Sequence, residues 1–397
     1  MFNELLKNVM NLGIITADDV KRLTAVELML LIIERTNGLL TYVKDIDGNL
    51  KNITLKQLND WLADGTLEEL INETALKNID TKVDDLINQL TPSYGKLKGA
   101  NIYIPYNTLN GEFTELLEHL KNTNCDTVCI CPVLWMSSHT SDVVGYKAGT
   151  NKTDILLKVK TAKEQGFKVV LKPHVGGDGF TGYSSIQPAN ITTWLESYQQ
   201  YLIELATTCK GYVDIFCVGN ELNNQTKQQL ATWKTIISNL RTIDNKMLIS
   251  HANHSAEIET NVFLSELDLI GVNVYPPVMG NLSTNIELQR ASLLTKTDEL
   301  NRVINCAVKY GKEILITECG ILPFEESLQA PSAWGFSSTP SENEEAQVRY
   351  YQLAIKELIN ANKIKGVMVW NACDGFTFVN RKAQATLKEI FGGEING

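Results

Sequence analysis

The sequence predicts an α/β protein built as a closed (β/α)8 barrel of the TIM type, carrying a small, mostly helical N-terminal arm with a hairpin and a short coiled-coil segment. Three observations carry this. Short apolar β-type runs alternate with amphipathic stretches over residues 97–393, and no second sheet pattern interrupts them. The runs number eight within roughly 300 residues, which suits a barrel of this kind. Two of them end in a carboxylate, Glu221 and Glu318, where parallel α/β folds place their chemistry. A doubly wound open sheet is the alternative, but no G-x-G-x-x-G turn follows the first run.

Composition narrows the partners. A 397-residue chain with 44% hydrophobic residues can bury a sizeable core, so a barrel plus an appendage is affordable in length. The net charge of -10, with no Lys/Arg cluster, argues against nucleic acid. Of the eight cysteines, Cys129, Cys131, Cys217, Cys319 and Cys373 lie in or beside apolar runs, where thiols act as small buried hydrophobes. Reduced thiols and synthesis in a reducing cytoplasm are expected. The start, Met-Phe-Asn-Glu-Leu-Leu-Lys, has no basic segment followed by an apolar one, so no export signal is expected. Residues 28–33 are too short an apolar run to span a bilayer, and no membrane insertion is expected.

Residues 1–92 form the arm, an attachment or oligomerisation region. Thr16 with Asp19, and Thr24 with Glu27, have capping-box spacing, which predicts short helices ending near Asn37-Gly38. Leu40-Thr-Tyr-Val and Asn52-Ile-Thr flank Asp47-Gly48, a hairpin signal. The acidic Asp45-x-Asp47-Gly lacks the rest of a calcium loop and reads as a turn. Leu76, Ile79, Val83, Leu86 and Leu90 recur at the 3.5-residue period of a coiled-coil seam. Packing within the arm is the other reading of that face. An intermolecular seam makes the chain a homo-oligomer, with a trimer as one option. Thr91-Pro-Ser-Tyr-Gly then reads as a linker.

The strand candidates are 99–104, 127–133, 168–173, 213–218, 246–251, 268–274, 313–318 and 366–370. Between them lie amphipathic stretches at Asp154–Gln165, Thr192–Thr208, Thr226–Ile243, Ile286–Lys309 and Glu342–Asn362. The residues after each strand converge on one mouth. They are Tyr103 to Tyr106, Pro132 to Trp135, Lys172-Pro-His174 with the glycine-rich Gly176–Gly179, Asn220-Glu221, His251 and Asn253, Asn273-Val-Tyr275, Glu318, and Trp370-Asn371.

Several of these have plain readings. An aromatic such as Trp135 often only caps a barrel core. His251 and His254 place no third metal ligand, and neither a metal nor another cofactor is expected. The glycine-rich loop lacks the Lys-Ser/Thr ending of a phosphate cradle. The two glutamates are different, because a carboxylate at the end of an apolar strand is costly to bury without a partner or a task.

Val-Gly-Asn220-Glu221 after the fourth strand and Ile-Thr-Glu318-Cys-Gly after the seventh resemble the acid/base and nucleophile signatures of clan A glycoside hydrolases. With Lys172-Pro-His174 after the third, the nearest resemblance is to glycoside hydrolase family 113, which includes β-mannan-degrading barrels. The resemblance implies Glu221 as acid/base, Glu318 as nucleophile, Asn220 as donor to the substrate 2-hydroxyl, Tyr275 as partner of the nucleophile, and Trp370 as the sugar platform. Lys172, His174, Trp135, Asn273 and Trp334 complete the expected substrate-binding set, and Tyr183 and Phe336 join Trp334 as outer-subsite candidates. Many clan members brace the nucleophile with an Arg after the second strand. Pro132-Val-Leu-Trp135 has none, and Lys172 is the candidate substitute.

Two inward-reaching glutamates on facing strands can approach the roughly 5–5.5 Å of retaining glycosidases, which implies double displacement. The arm resembles attachment regions of bacteriophage tail and baseplate proteins. That implies a virion protein, attached to other tail proteins, that cleaves a host-surface or cell-wall polysaccharide. The alternative is a receptor-binding tail module that binds glycan on a hydrolase-like barrel without cleaving it. A missing or blocked carboxylate would favour that reading, and the sequence keeps both.

Overall fold

The computed structural model describes residues 95–104, 110–147, 150–177, 186–296, 298–336, 340–361 and 363–393, together with the backbone of two short arm strands. Those strands, Tyr42–Lys44 and Leu50–Asn52, pair antiparallel, with Tyr42 opposite Asn52, and the expected turn at Asp47-Gly48 lies outside the described residues. The expected arm helices, the heptad segment 76–90, Tyr106, Tyr183 and the end of the glycine-rich loop lie outside the described residues. The chain divides into two compact units, Met1–Tyr94 and Gly95–Gly397.

Eight parallel strands form the second unit's sheet. They are β1 (Leu97–Ile104), β2 (Thr127–Met136), β3 (Lys168–Leu171), β4 (Ile215–Asn220), β5 (Leu248–His254), β6 (Leu269–Asn273), β7 (Glu313–Cys319) and β8 (Ile364–Val369). Each pairs with the next, and β8 pairs with β1 through Gly366 opposite Leu97, so the barrel is closed. The strands read as apolar runs because both faces are covered. Every residue of β4 and β6 is buried, and in β2 only Trp135 is partly exposed.

Two departures follow from local chemistry. The third strand stops at Leu171 rather than 173, because Pro173 cannot donate to the ladder. Pairing resumes at His174–Gly177, which runs alongside the end of β2, with Trp135 opposite Gly176. A short strand Gly145–Tyr146 pairs antiparallel on the same end of β2.

The helices are α1 (Asn110–Asn122), α2 (Lys152–Glu164), α3 (Ile191–Thr208), α4 (Leu230–Ile243), α5 (Ile286–Lys296), α6 (Asp298–Tyr310), α7 (Glu344–Tyr350), α8 (Lys356–Asn360) and α9 (Lys382–Gly392). A π-helical turn at Tyr351–Ile355 joins α7 to α8. Asn151 and Asn190 cap α2 and α3, each side chain accepting from two backbone N–H groups of the first turn. The stretch 286–309 is two helices rather than one. Between β5 and β6 the connection is 3₁₀, at Ser255–Thr260 and Leu264–Glu266, so the fifth unit has no α-helix.

Outside the barrel wall, Trp194 stacks on Tyr198 at 4.8 Å and Trp233 on Phe263 at 4.6 Å, all fully buried. Truncating Trp233 to Ala would cost about 3–5 kcal/mol, because such a site cannot collapse around the void. The interior under the mouth is instead polar, with buried Asn101, Lys172, Asn253 and Thr317. Cys217 sits among them, whereas Cys319 on the neighbouring wall faces the Tyr350 hydroxyl at 3.7 Å; burial pushes both thiols up to about 12 and leaves them unreactive.

Candidate active site

The carboxyl-terminal strand ends gather the polar residues. Register shifts interrupt the ladders at Cys217/Asn220, Val272/Asn273 and Ile316/Cys319, at the ends of β4, β6 and β7. Such irregularities re-aim side chains, and here they fall on the strands that bear Asn220, Asn273 and Glu318.

Glu318 is buried and both of its carboxylate oxygens are held. Lys172 Nζ donates to Oε1 at 2.5 Å, and the Tyr275 hydroxyl donates to Oε2 at 2.8 Å. His174 Nε2 stands 3.8 Å from Oε1. Lys172 is fully buried, donates also to the Thr317 carbonyl at 3.3 Å, and lies 5.1 Å from the Trp370 ring centre. Burial is the largest single influence and lowers its proton affinity, but the Glu318 carboxylate together with the neighbouring Cys131 and Cys129 raises it overall, so the lysine is a fixed cation. His174 is neutral, held well below its ordinary value by burial and then by Lys172. Burial and Glu318 likewise raise Tyr275 well above the ordinary phenol value, keeping it a donor.

Glu221 follows β4 on a left-handed backbone, φ 49°, that a non-glycine residue adopts at some cost. Its N–H donates to the Ala252 carbonyl at 2.8 Å, which holds that conformation. Gly219 behind it leaves room for its neighbours: a Cβ there would meet Leu222 Cδ1 at 2.6 Å and His251 Nε2 at 3.2 Å, so the leucine side chain would have to shift. Burial, and next the charge of Glu318, raise Glu221 to about 7, against the lowering effects of Asn273 and Lys172. At neutral pH the mouth thus holds one carboxylate paired with a lysine and one carboxyl that can keep or release its proton.

Asn273 ties the two halves together. Its Nδ2 donates to Glu221 Oε1 at 2.8 Å and to Asn220 Oδ1 at 3.1 Å, while its Oδ1 accepts from Thr317 Oγ1 at 2.7 Å. Asn220 Nδ2 lies 3.5 Å from His174 Nδ1. His174 stacks against Trp370, ring centres 5.7 Å apart, and Tyr103 abuts both. The Trp370-Asn371 peptide is cis.

Ten expected site residues can therefore be placed. Glu221, Glu318, Asn220, Tyr275, Trp370, Lys172, His174 and Asn273 form one connected cluster. Trp334 joins its edge, 6.4 Å from the Trp370 ring and 4.9 Å from Phe376, with 62% of its surface exposed. Trp135 lies beside Gly176 with Lys147 Nζ 3.9 Å from its ring centre, so a cation already occupies one aromatic face. Phe336 packs edge-on against Phe324, 6.1 Å away. Asn253 donates to the His251 and Gly271 carbonyls and is a barrel strut. His254 caps the 3₁₀ turn after β5 by accepting from the Ala256 N–H. Among the described residues no three His, Cys, Asp or Glu side chains are grouped to hold a metal, and no helix is long and apolar enough to cross a membrane.

Sequence reading missed Asn101 and Thr317. Asn101 Nδ2 donates to the carbonyls of Thr317, Met368 and Val369, stitching β1 to β7 and β8 beneath the mouth. The one available signal was an amide inside an otherwise apolar run.

The model of Glycoside Hydrolase Family 113 matches residues 106–388, a span holding all eight members of this cluster, with Asn101 and Tyr103 just before it. The chain belongs to glycoside hydrolase family 113. Its barrel is a glycosidase barrel, and the lysine–glutamate pair and the raised second glutamate lie at the mouth of a family 113 hydrolase. A GH113 β-1,4-mannanase solved as a complex superposes with a TM-score of 0.64 at 19% identity, covering 76% of this chain and 100% of that one. The β-mannanase of Alicyclobacillus acidocaldarius in complex with ManMIm gives 0.64 at 18%, covering 76% and 98%. The β-glucuronidase of Ruminococcus gnavus gives 0.53 at 19%, covering 75% of this chain and 50% of that one. At such identities these likenesses show the shared fold. No curated protein sequence matches the chain.

Proposed function

We propose that this family 113 hydrolase is a retaining, mannanase-like glycosidase in which Glu318 is the nucleophile and Glu221 the acid/base. The observation that carries the proposal is the asymmetry of the two glutamates: Glu318 is pinned by Lys172 and Tyr275, whereas Glu221 is raised to about 7 beside it. A nucleophile must be anionic and aimed, and an acid must hold a proton near the working pH.

In the first step a Glu318 oxygen forms a bond to the anomeric carbon as the bond to the leaving oxygen breaks, and Glu221 gives that oxygen its proton. In the second, Glu221 takes a proton from water, whose oxygen displaces Glu318. Asn220 Nδ2 is the donor for the 2-hydroxyl, and Trp370 lies under the ring at the cleavage point. Lys172 stands in for the arginine that many clan members carry after the second strand.

The substrate we propose is a polysaccharide of a bacterial host's surface or cell wall, with the chain built into a bacteriophage tail and oligomerised through its arm. The support for this reading is the heptad spacing of Leu76, Ile79, Val83, Leu86 and Leu90 beside a glycan-cleaving domain. Light scattering on the full chain tests oligomerisation, and a monomer removes the intermolecular seam.

The mechanism is tested by proton NMR of β-1,4-mannopentaose and host polysaccharide digests. The first-formed product should carry the substrate's own anomeric configuration. The inverted anomer appearing first would exclude Glu318 as a nucleophile, and the absence of any new reducing end would favour a glycan-binding module instead.

A further inference from the structure

We infer that Arg349, on α7 outside the barrel, is a positioning residue for the reaction, because it clamps through Gln289 the loop that delivers Tyr275 to Glu318. The inference rests on the assignment of Glu318 as nucleophile.

The loop from Tyr275 to Asn285 pairs with no strand among the described residues, yet more than half of its backbone is accounted for by hydrogen bonds. Its root is fixed where the Val274 N–H donates to the Glu318 carbonyl at 2.9 Å. Tyr275 comes next and turns its hydroxyl onto the carboxylate of the same glutamate. Beyond it the Val278 N–H donates to the Leu328 carbonyl at 2.6 Å, and the Leu282 N–H donates to Glu325 at 2.9 Å.

The loop's carbonyls are then taken up one after another by side chains. Gln289 Nε2 donates to Met279 and Asn281, Gln329 Nε2 to Gly280, and Arg349 to Leu282 and Thr284. The keystone is the Gln289–Arg349 contact. Gln289 is fully buried, and its Oε1 accepts from Arg349 Nη1 at 2.6 Å. Arg349 thus holds the loop directly at two carbonyls and holds the glutamine that grips two more. Tyr275 sits between a fixed root and this clamp, so the direction of its phenol depends on both. A displacement of a reacting group by about 1 Å can cost on the order of 100-fold in rate, and the clamp guards against that loss.

The test couples Arg349 to Tyr275. R349A should lower kcat on β-1,4-mannopentaose about tenfold with KM within about twofold, and in a Y275F background the same substitution should cost less than about twofold. A purely structural role would instead give equal losses in both backgrounds, and that result overturns the inference. A second readout needs no turnover. In protein labelled with 3-fluorotyrosine, the ¹⁹F resonance assigned to Tyr275 by its absence from Y275F should move in R349A, and an unmoved resonance also overturns the inference. R349K, which keeps the charge but only one donor nitrogen in place of the fork, carries both readouts should R349A fail to fold. If the wild type cleaves no substrate, the function proposed above falls, and the resonance alone decides the clamp.

Discussion

Lys172 Nζ lies 2.5 Å from Glu318 Oε1 with both side chains buried, so the floor of the mouth is a closed ion pair. Such a pair contributes little net stability, yet removing one partner strands the other. K172M should therefore cost about 3–5 kcal/mol in urea unfolding. K172M/E318Q should recover most of that loss, because neither charge is left. A double variant no more stable than K172M would show that the lysine acts through packing alone. Glu318→Ala should abolish turnover, by more than about 10⁴-fold, while the barrel stays folded.

Glu221 sets the expected pH dependence. In the acid role proposed for it Glu221 must hold its proton, so kcat/KM should fall on the alkaline side around pH 7. Its raised proton affinity also bears on stability. A carboxyl whose folded value lies above its ordinary 4.5 contributes stability that is fully present below that value and lost as pH rises through about 7. Glu221→Gln should therefore match the wild type near pH 4 and exceed it near pH 8, by on the order of 1–2 kcal/mol once partial exposure is discounted. Melting curves of both proteins at the two pH values check this, and a Glu221→Gln variant no more stable than the wild type near pH 8 contradicts it.

Gly320 should tolerate no side chain. A Cβ there would lie 2.0 Å from the Trp370 carbonyl oxygen, a backbone atom that cannot swing away. Gly320→Ala must push the ends of β7 and β8 apart, two residues beyond Glu318, and should cost at least about 1–3 kcal/mol together with most of the activity. Gly111→Ala, where nothing lies within 4 Å, is the control and should be neutral or mildly stabilising. Equal stabilities for the two variants would mean that the strand ends relax more easily than this packing allows.

The barrel was legible because its strands are buried on both faces and its mouth is polar, so apolar runs ending in Asn, Glu, Tyr or Trp mark both at once. Glu221, Glu318 and Lys172 stood out as charges beside such runs. What stayed hidden are contacts between residues far apart in the chain. Asn101 reads as an interruption of β1 until its three carbonyl partners on β7 and β8 are known. Arg349 reads as an ordinary polar residue of an amphipathic helix, and Gln289 as another. The 3₁₀ link after β5 was missed for a related reason, since segments that short carry no periodicity to read.

Trp334 should act on the reach of the substrate rather than on the chemistry. Its indole is 62% exposed, an unusual state for the largest side chain, and it is kept upright by edge contacts with Phe376 at 4.9 Å and Trp370 at 6.4 Å. It therefore extends the aromatic surface beyond Trp370, and with Trp370 in its proposed role under the cleaved sugar, a neighbouring sugar of a longer chain would lie on Trp334. Burying roughly 30–55 Å² of apolar sugar face on the indole, at about 25 cal/mol per Å², is worth about 0.7–1.4 kcal/mol. W334A should raise KM for β-1,4-mannopentaose about 3- to 10-fold with kcat nearly unchanged. For 4-nitrophenyl β-mannoside, which has no second sugar to place there, both constants should stay within about twofold. Equal losses on both substrates would move Trp334 from the subsite to the support of Trp370, since only a change at the cleavage point weakens both.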